Sequence, residues 1–206
     1  MQQETRKIDK IDAVLASAPT DPDAFLLWSS QCRREEGKFE LTRGRVVCNM
    51  IFASRGHAHV CANLLGELLR LVDRDRFDIS AADFAVRTKV GVRSPDIVVD
   101  ERVPDRWQLE TSTPLFIAEV LSPSTTGTDF TDKLEEYTSI ATLLTYLICS
   151  QDEPRAWVWL RQGNGSWPKL PTELVGRERA IALGGLGVEI TMAAIFRGIP
   201  DAPTPR

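Results

Sequence analysis

The chain lacks the residue patterns on which several enzyme classes depend. It has only two histidines, and neither follows the hydroxyl-rich segment 122–125, so a Ser–His triad built on those hydroxyls is not expected. Its four cysteines are scattered without a CxxC pair, which argues against a cysteine-based zinc site or a disulfide framework and favours buried free thiols. The glycine cluster at 184–187 does not lie between a strand and a long helix, so we interpret it as a turn and not as a phosphate-binding loop.

An excess of positive charge is also missing. The net charge of −4 argues against general attraction to nucleic acid, although a local basic surface remains compatible with it. No apolar run reaches the roughly 18 residues of a transmembrane helix, and the N-terminal segment is polar. These absences predict a cytoplasmic protein without a membrane partner. The length of 206 residues predicts one domain at 24–199, with an N-terminal arm at 1–23 and a flexible tail at 200–206.

Two apolar segments carry the first sign of chemistry. Residues 97–99 are all β-branched, and residues 114–121 are apolar apart from Glu119, so both segments predict buried strands. Burial of a lone carboxylate is costly unless the group is protonated, paired or bound to a cation. A metal ion shared with Asp96, at the start of the first strand, would supply such a partner.

The remaining elements are predicted from periodicity and turn signals. Apolar residues repeat at helical spacing over 57–71, and a second helix is predicted from Phe130 to about Ile140, which Thr128 or Asp129 could cap. Strands are predicted at 38–42, 45–52, 84–90, 143–149, 156–160, 180–183 and 188–190, in a mixed sheet. We interpret residues 73–80 as a turn and residues 100–113 as a polar loop.

Two polar residues have an ambiguous pattern. Glu40 alternates with Phe39 and Leu41 along its strand, which favours a solvated strand residue and a site residue about equally. His57 and His59 are separated by about 200° around a helix, so they do not form an i, i+4 metal pair, and each is more often structural than catalytic.

Several segments together resemble one family. They are Phe39-Glu40-Leu41 with Gly44, Gly56-His57 with Asn63-Leu64, Ala82-Asp83-Phe84, Ser94-Pro95-Asp96, and the block 118–125 followed by Asp129, Lys133 and Tyr137. From about Phe25 to Ile199 the chain resembles the Uma-two family of predicted endonucleases, within the PD-(D/E)XK restriction endonuclease-like superfamily. The resemblance implies an α/β restriction endonuclease-like core, with a mixed central β-sheet flanked by helices.

The resemblance also implies a metal-dependent site for phosphodiester cleavage at one edge of the sheet. Asp96 and Glu119 would ligate Mg²⁺ or Mn²⁺, and the backbone carbonyl of Val120 is a further candidate ligand. Where the superfamily has a lysine two residues after the glutamate, this chain has Leu121. In the family pattern the helical Lys133 is the substitute, and it would orient the attacking water or stabilise the developing charge.

The family pattern raises the weight of four further residues. Glu40 matches an acidic residue of the first motif and would bind a metal or position the lysine. Tyr137, His57 and Asp129 are supporting candidates. Phe130 stands where the family commonly has an arginine that could touch phosphate.

The resulting hypothesis is a metal-dependent endonuclease that hydrolyses DNA and acts as a homodimer, with an interface around Phe25, Leu26 and Trp28. The alternative is a weakly active or inactive module of the same fold that binds nucleic acid or another partner. In that case Asp96 caps a strand, Glu119 and Lys133 form a structural ion pair, and Tyr137 belongs to the core.

Overall fold

This computed structural model describes residues 11, 13–32, 37–49, 54–81, 84–121 and 130–201. Residues 13–16 are helical, and the other helices within the described ranges are α1 (Pro22–Gln31), α2 (Arg55–Leu71), α3 (Asp132–Thr138) and α4 (Met192–Ile195). Helix α2 carries the apolar stripe that the sequence predicts, and its side chains Val60, Leu64 and Leu68 are fully buried.

The strands are short and follow one another closely. They are β1 (Lys38–Thr42), β2 (Arg45–Asn49), β3 (Phe77–Ala81), β4 (Ala85–Thr88), β5 (Gly91–Arg93), β6 (Ile97–Glu101), β7 (Glu110–Thr111), β8 (Pro114–Val120), β9 (Thr145–Cys149), β10 (Arg155–Leu160), β11 (Thr172–Val175), β12 (Ala180–Leu183) and β13 (Val188–Thr191). Between β1 and β2, Arg43 and Gly44 both have positive φ, of 48° and 75°, which is the tight turn expected from the sequence.

The strands form two larger sheets and one hairpin. The six-stranded sheet has the order β11-β10-β9-β8-β6-β3, the five-stranded sheet has the order β2-β1-β5-β4-β7, and β12 pairs with β13. Strands β8 and β9 are parallel, whereas β6 and β8 are antiparallel. The predicted α/β fold with a mixed sheet flanked by helices is therefore confirmed.

Helix α3 lies between the two larger sheets. The six-stranded sheet packs one face against α2, α4 and the β12–β13 hairpin, and its other face contacts Tyr137 of α3. On the opposite side of α3, Glu136 accepts hydrogen bonds from Thr42 and Thr88 of the five-stranded sheet. This helix therefore connects the two sheets through polar side chains as well as apolar ones.

Several of the sequence expectations need correction. Residues 73–80 are not only a turn, because β3 begins at Phe77, and β5, β7 and β11 were not predicted as strands. These strands are two to five residues long and rich in polar residues, so they carry little periodic signal. The expected cap of α3 differs too: its N-cap is Thr131, and residues 128 and 129 lie outside the described ranges.

The proposed dimer interface also needs correction. Phe25 and Leu26 are 1% and 8% exposed, because they pack against Phe39 and Leu41 in the chain's own core. These two residues are unavailable to a partner subunit, whereas Trp28 is half-buried against Phe39. The homodimer stays a prediction. Among the described residues, no helix combines the length and apolar character needed to cross a membrane.

Gly91 is a site at which the fold depends on the absence of a side chain. A Cβ on Gly91 would lie 1.9 Å from the carbonyl oxygen of Leu41 on the paired strand β1. We expect Gly91→Ala to lower the free energy of unfolding by about 1–3 kcal/mol or more, because β1 and β5 must separate. Urea denaturation monitored by circular dichroism measures this change.

Gly66→Ala is the matched control, since nothing lies within 4 Å of the added Cβ on helix α2. We expect this control to stabilise the protein by about 0.5–1 kcal/mol. Equal unfolding midpoints for the two variants would contradict a close contact between Gly91 and the backbone of Leu41.

Candidate active site

The strands β6 and β8 bring the backbones of the two predicted metal-binding residues together. Their antiparallel register pairs Ile97 with Ala118, and one residue further on it sets Asp96 opposite Glu119. The backbone N–H of Val120 donates a 2.7 Å hydrogen bond to Oδ2 of Asp96. Asp96, Glu119 and the backbone of Val120 therefore lie at one end of the six-stranded sheet.

Glu119 is the most constrained carboxylate of this group. It is only 4% exposed, and its Oε1 accepts hydrogen bonds from Lys133 Nζ at 2.9 Å and from the Tyr137 hydroxyl at 3.0 Å. Lys133 and Tyr137 are one helical turn apart on α3, as the sequence predicts. Burial, with the charge of Glu119 next, raises the pKa of Tyr137 well above its usual value, so the phenol keeps its proton and acts as a donor.

Glu40 is buried, so its interpretation as a solvated strand residue is wrong. It is 1% exposed, its Oε2 accepts from Arg93 Nη1 at 3.1 Å, and its Oε1 accepts from the backbone N–H of Ser94 at 3.0 Å. Burial raises the pKa of this carboxyl, but the positive charges of Lys133 and Arg93 outweigh burial and hold the pKa below its usual value. Glu40 is therefore ionised at neutral pH, and Lys133 lies within reach of its charge.

Arg93 and Glu136 complete a buried ionic network that the sequence did not reveal. The Nη2 and Nε atoms of Arg93 donate to the two carboxylate oxygens of Glu136 at 2.6 Å and 2.8 Å. Both side chains are only 2% exposed. Arg93 directly precedes the Ser-Pro-Asp triplet, and that position was the only available hint. The bidentate contact anchors α3 on the five-stranded sheet.

Lys38 is a second basic residue that the sequence did not reveal. Its positive charge contributes to lowering the pKa of both Asp96 and Glu40. Its side chain makes no hydrogen bond or ion pair with any residue in the described ranges. Lys38 and Glu40 share one face of β1 at a spacing of two, and that alternation could have identified it.

Asp96 is ionised at neutral pH. Burial raises its pKa, but the hydrogen bond from His57, the charge of Lys38 and the backbone contact to Val120 outweigh burial and hold the pKa below its usual value. The Nε2 atom of His57 lies 3.5 Å from Oδ1 of Asp96. Ser54 caps α2 by accepting from the N–H of His57 at 3.0 Å, and this contact sets the start of the helix beside Asp96.

The sequence of this chain is similar to those of known proteins. A family model, Uma2, described as "Putative restriction endonuclease", matches residues 22–193. The chain belongs to the Uma2 family. The uncharacterized protein sll1609 of Synechocystis sp. is 31% identical over 150 residues, which cover 70% of this chain and 82% of that protein. A second uncharacterized Synechocystis protein, slr1290, is 24% identical over 181 residues, covering 86% of this chain and 92% of that protein.

A solved structure supports the same fold. It is described as the crystal structure of "a putative nuclease belonging to DUF820" from Anabaena variabilis. It superposes with a TM-score of 0.65 at 15% sequence identity, and the match covers 83% of this chain and 96% of that chain. This likeness shows that the two chains share a fold.

The departures from the family pattern have a structural cause. Leu121 and Phe130 both pack against the apolar cluster on the α3 side of the six-stranded sheet. The Phe130 ring makes edge contacts with Trp157 and Trp159, at centroid distances of 5.0 Å and 6.0 Å. Both positions therefore serve the core, and basic side chains reach the carboxylates from α3 and β1 instead.

The remaining histidines, Asp129 and the cysteines differ in how close they lie to the site. His57 lies next to Asp96, His59 is exposed on α2, and Asp129 lies outside the described residues. Of the four free cysteines only Cys149 is buried, and the other three are half-buried, which corrects the expectation of buried thiols. Burial, reinforced by the charge of Asp96, raises the pKa of the Cys61 and Cys149 thiols, so both are neutral in the protein without a bound cation.

The donor set fits a hard divalent cation. Asp96 and Glu119 would supply carboxylate oxygens from facing positions of adjacent backbone segments, and the backbone carbonyl of Val120 would be the further ligand. The described part of the site contains four carboxylates and three basic side chains: Glu40, Asp96, Glu119 and Glu136, with Lys38, Arg93 and Lys133. An excess of negative charge in a buried site favours an added cation.

The network around Arg93 predicts a large effect on stability. Arg93→Met would leave the carboxylates of Glu40 and Glu136 buried without their shared cation. We expect the free energy of unfolding to fall by about 3–5 kcal/mol. Urea titration at neutral pH measures it.

The control is Arg43→Met, which removes an ion pair of 2.7 Å to Glu135 whose side chains are 56% and 75% exposed. Such an exposed pair contributes little, so a change within about 1 kcal/mol is expected. A comparable loss in both variants would contradict the anchoring role of Arg93.

Proposed function

We propose that this protein is a metal-dependent endonuclease that hydrolyses DNA phosphodiester bonds at the Asp96–Glu119 site. The observation that carries the proposal is the contact of Lys133 Nζ with Glu119 Oε1 at 2.9 Å. In this chain the strand position two residues after the glutamate is Leu121, and the contact supplies a lysine to the carboxylate from α3 instead. The pairing of Asp96 with Glu119 across β6 and β8 supports the same proposal.

Asp96, Glu119 and the carbonyl of Val120 would hold Mg²⁺ or Mn²⁺. A bound cation of this kind supplies a water of lowered pKa and neutralises charge that builds on the phosphate. Tyr137 and Lys133 both donate to Oε1 of Glu119, so they fix the orientation of that carboxylate. The ammonium of Lys133, which also faces the charge of Glu40, would orient the attacking water or stabilise the developing charge.

Lys38 would contact the phosphate of the substrate. Its ammonium is only half-buried, lies close enough to Asp96 to lower that residue's pKa, and has no anionic partner within the described ranges. An ammonium in this state can bind an incoming anion without breaking an existing ion pair. The net negative charge of the chain then requires that attraction to DNA be local to this site.

The first test is cleavage of supercoiled plasmid in Mg²⁺ or Mn²⁺. Asp96→Asn and Glu119→Gln keep the side-chain shapes but remove the anionic ligands, so we expect each to lower the cleavage rate by at least about 100-fold. Glu178→Gln, at an exposed carboxylate, is the matched control and should cleave normally. Cleavage that persists in both site variants would contradict the assignment of Asp96 and Glu119 as metal ligands.

The second test separates Lys38 from general charge effects. We expect Lys38→Met to reduce the cleavage rate by about 100-fold, because one preorganised positive group facing the phosphate is lost. Lys169→Met removes the same charge from an exposed position and should leave the rate unchanged. If the two variants behave alike, Lys38 has no role at the phosphate.

Metal binding distinguishes the proposed enzyme from an inert module of the same fold. Calorimetric titration with Mn²⁺ should reveal a site that disappears in Glu119→Gln. Failure to bind Mn²⁺ would favour the inert module. Sedimentation equilibrium at micromolar concentration checks the predicted homodimer, and a species of 23.0 kDa would exclude it.

A further inference from the structure

A second group of ligand atoms lies on the other side of Asp96. His57 and Cys61 are one turn apart on α2, and their side chains lie on the same face of the helix. One ligand atom each from His57, Cys61 and Asp96 can be chosen so that all three lie within 4.8 Å of one another. Two residues of α2 and the residue that precedes β6 therefore lie close enough to share one ligand.

Hydrogen bonding accounts for only one ring nitrogen of His57, since Nε2 lies 3.5 Å from Oδ1 of Asp96. The Nδ1 atom of His57 is buried and has no hydrogen-bond partner among the described residues. A buried nitrogen without a partner carries a desolvation cost that a structural histidine normally avoids. The backbone of His57 is fixed at the start of α2, because its N–H donates to Ser54 at 3.0 Å.

The chemistry of this group differs from that of the Asp96–Glu119 pair. Imidazole, thiol and carboxylate together suit Zn²⁺ and similar thiophilic cations, whereas Mg²⁺ prefers oxygen ligands alone. Cys61 is half-buried and remains a free thiol. On binding a metal it would release its proton to solvent and ligate as the thiolate.

We propose that His57, Cys61 and Asp96 form a binding site for a thiophilic divalent cation of the Zn²⁺ class. The three protein ligands leave a fourth tetrahedral position open. Because Asp96 belongs to both groups, occupancy by such a cation withdraws Asp96 from ligation of Mg²⁺. The resulting inhibition of cleavage rests on the proposed function, whereas the binding site itself does not.

Titration of the chelator-treated full chain with Co²⁺ tests the site directly. Ligation by Cys61 predicts a thiolate-to-cobalt charge-transfer band that saturates at one equivalent and disappears when Zn²⁺ is added. The band should vanish in Cys61→Ser and Cys61→Ala. In His57→Ala the apparent Kd for Co²⁺ should rise by at least the roughly tenfold that loss of an outer-shell contact costs.

Cys32→Ala is the matched control, because it removes a half-buried thiol at the C-cap of α1, outside the proposed ligand group. It should keep the full band, and circular dichroism must show native folding for every variant compared. Absence of the band in the unmodified chain, or its persistence in both folded Cys61 variants, would overturn the proposal.

Plasmid cleavage supplies a separate measurement. With Mg²⁺ present, Zn²⁺ should inhibit the unmodified chain more strongly than Cys61→Ala, each compared with its own zinc-free rate. If no preparation cleaves DNA, the proposed function fails while the cobalt spectrum still decides the binding site.

Discussion

The burial of the Glu119 carboxylate within an apolar strand is the constraint on which the site depends. A charged group in that position is tolerated only with close partners, and α3 supplies two of them, Lys133 and Tyr137, at 2.9 Å and 3.0 Å. The same helix uses Glu136 to contact Arg93 on the other sheet. The position of α3 is therefore set from both sides by hydrogen-bonded charges, and the lysine cannot move without disturbing them.

This arrangement explains how the chain accommodates an unusual residue in its family motif. Leu121 occupies the strand position at which the superfamily has a lysine, and it packs into the core beneath α3. Because Lys133 approaches Glu119 from the helix, an ammonium is still present beside the carboxylate. Lys38 adds a second basic group from β1, near Asp96. The two lysines of the site therefore come from α3 and β1, and not from the strand that carries Glu119.

Asp96 connects two different ligand environments. On one side it stands opposite Glu119, which offers carboxylate oxygens, and accepts a hydrogen bond from the N–H of Val120. On the other side it faces His57 and Cys61, which add nitrogen and sulfur. The pKa of Asp96 lies below its usual value, so the same anionic group is available to a cation on either side. The choice of cation would depend on whether Asp96 ligates together with Glu119 or together with His57 and Cys61.

Local patterning was enough to predict the long helix α2, the strands β6 and β8, and the shared face of Lys133 and Tyr137, because side-chain periodicity depends on neighbouring residues alone. The same patterning singled out Asp96 and Glu119, because a lone carboxylate in an apolar strand needs a partner. Family resemblance then raised the weight of Glu40 and Lys133 as site candidates. Neither source revealed the ionic contacts of Arg93 with Glu40 and Glu136, which lie 53 and 43 residues away along the chain. Burial of these charges follows from the packing of two sheets around α3, and periodicity carries no information about which distant charges such packing brings together.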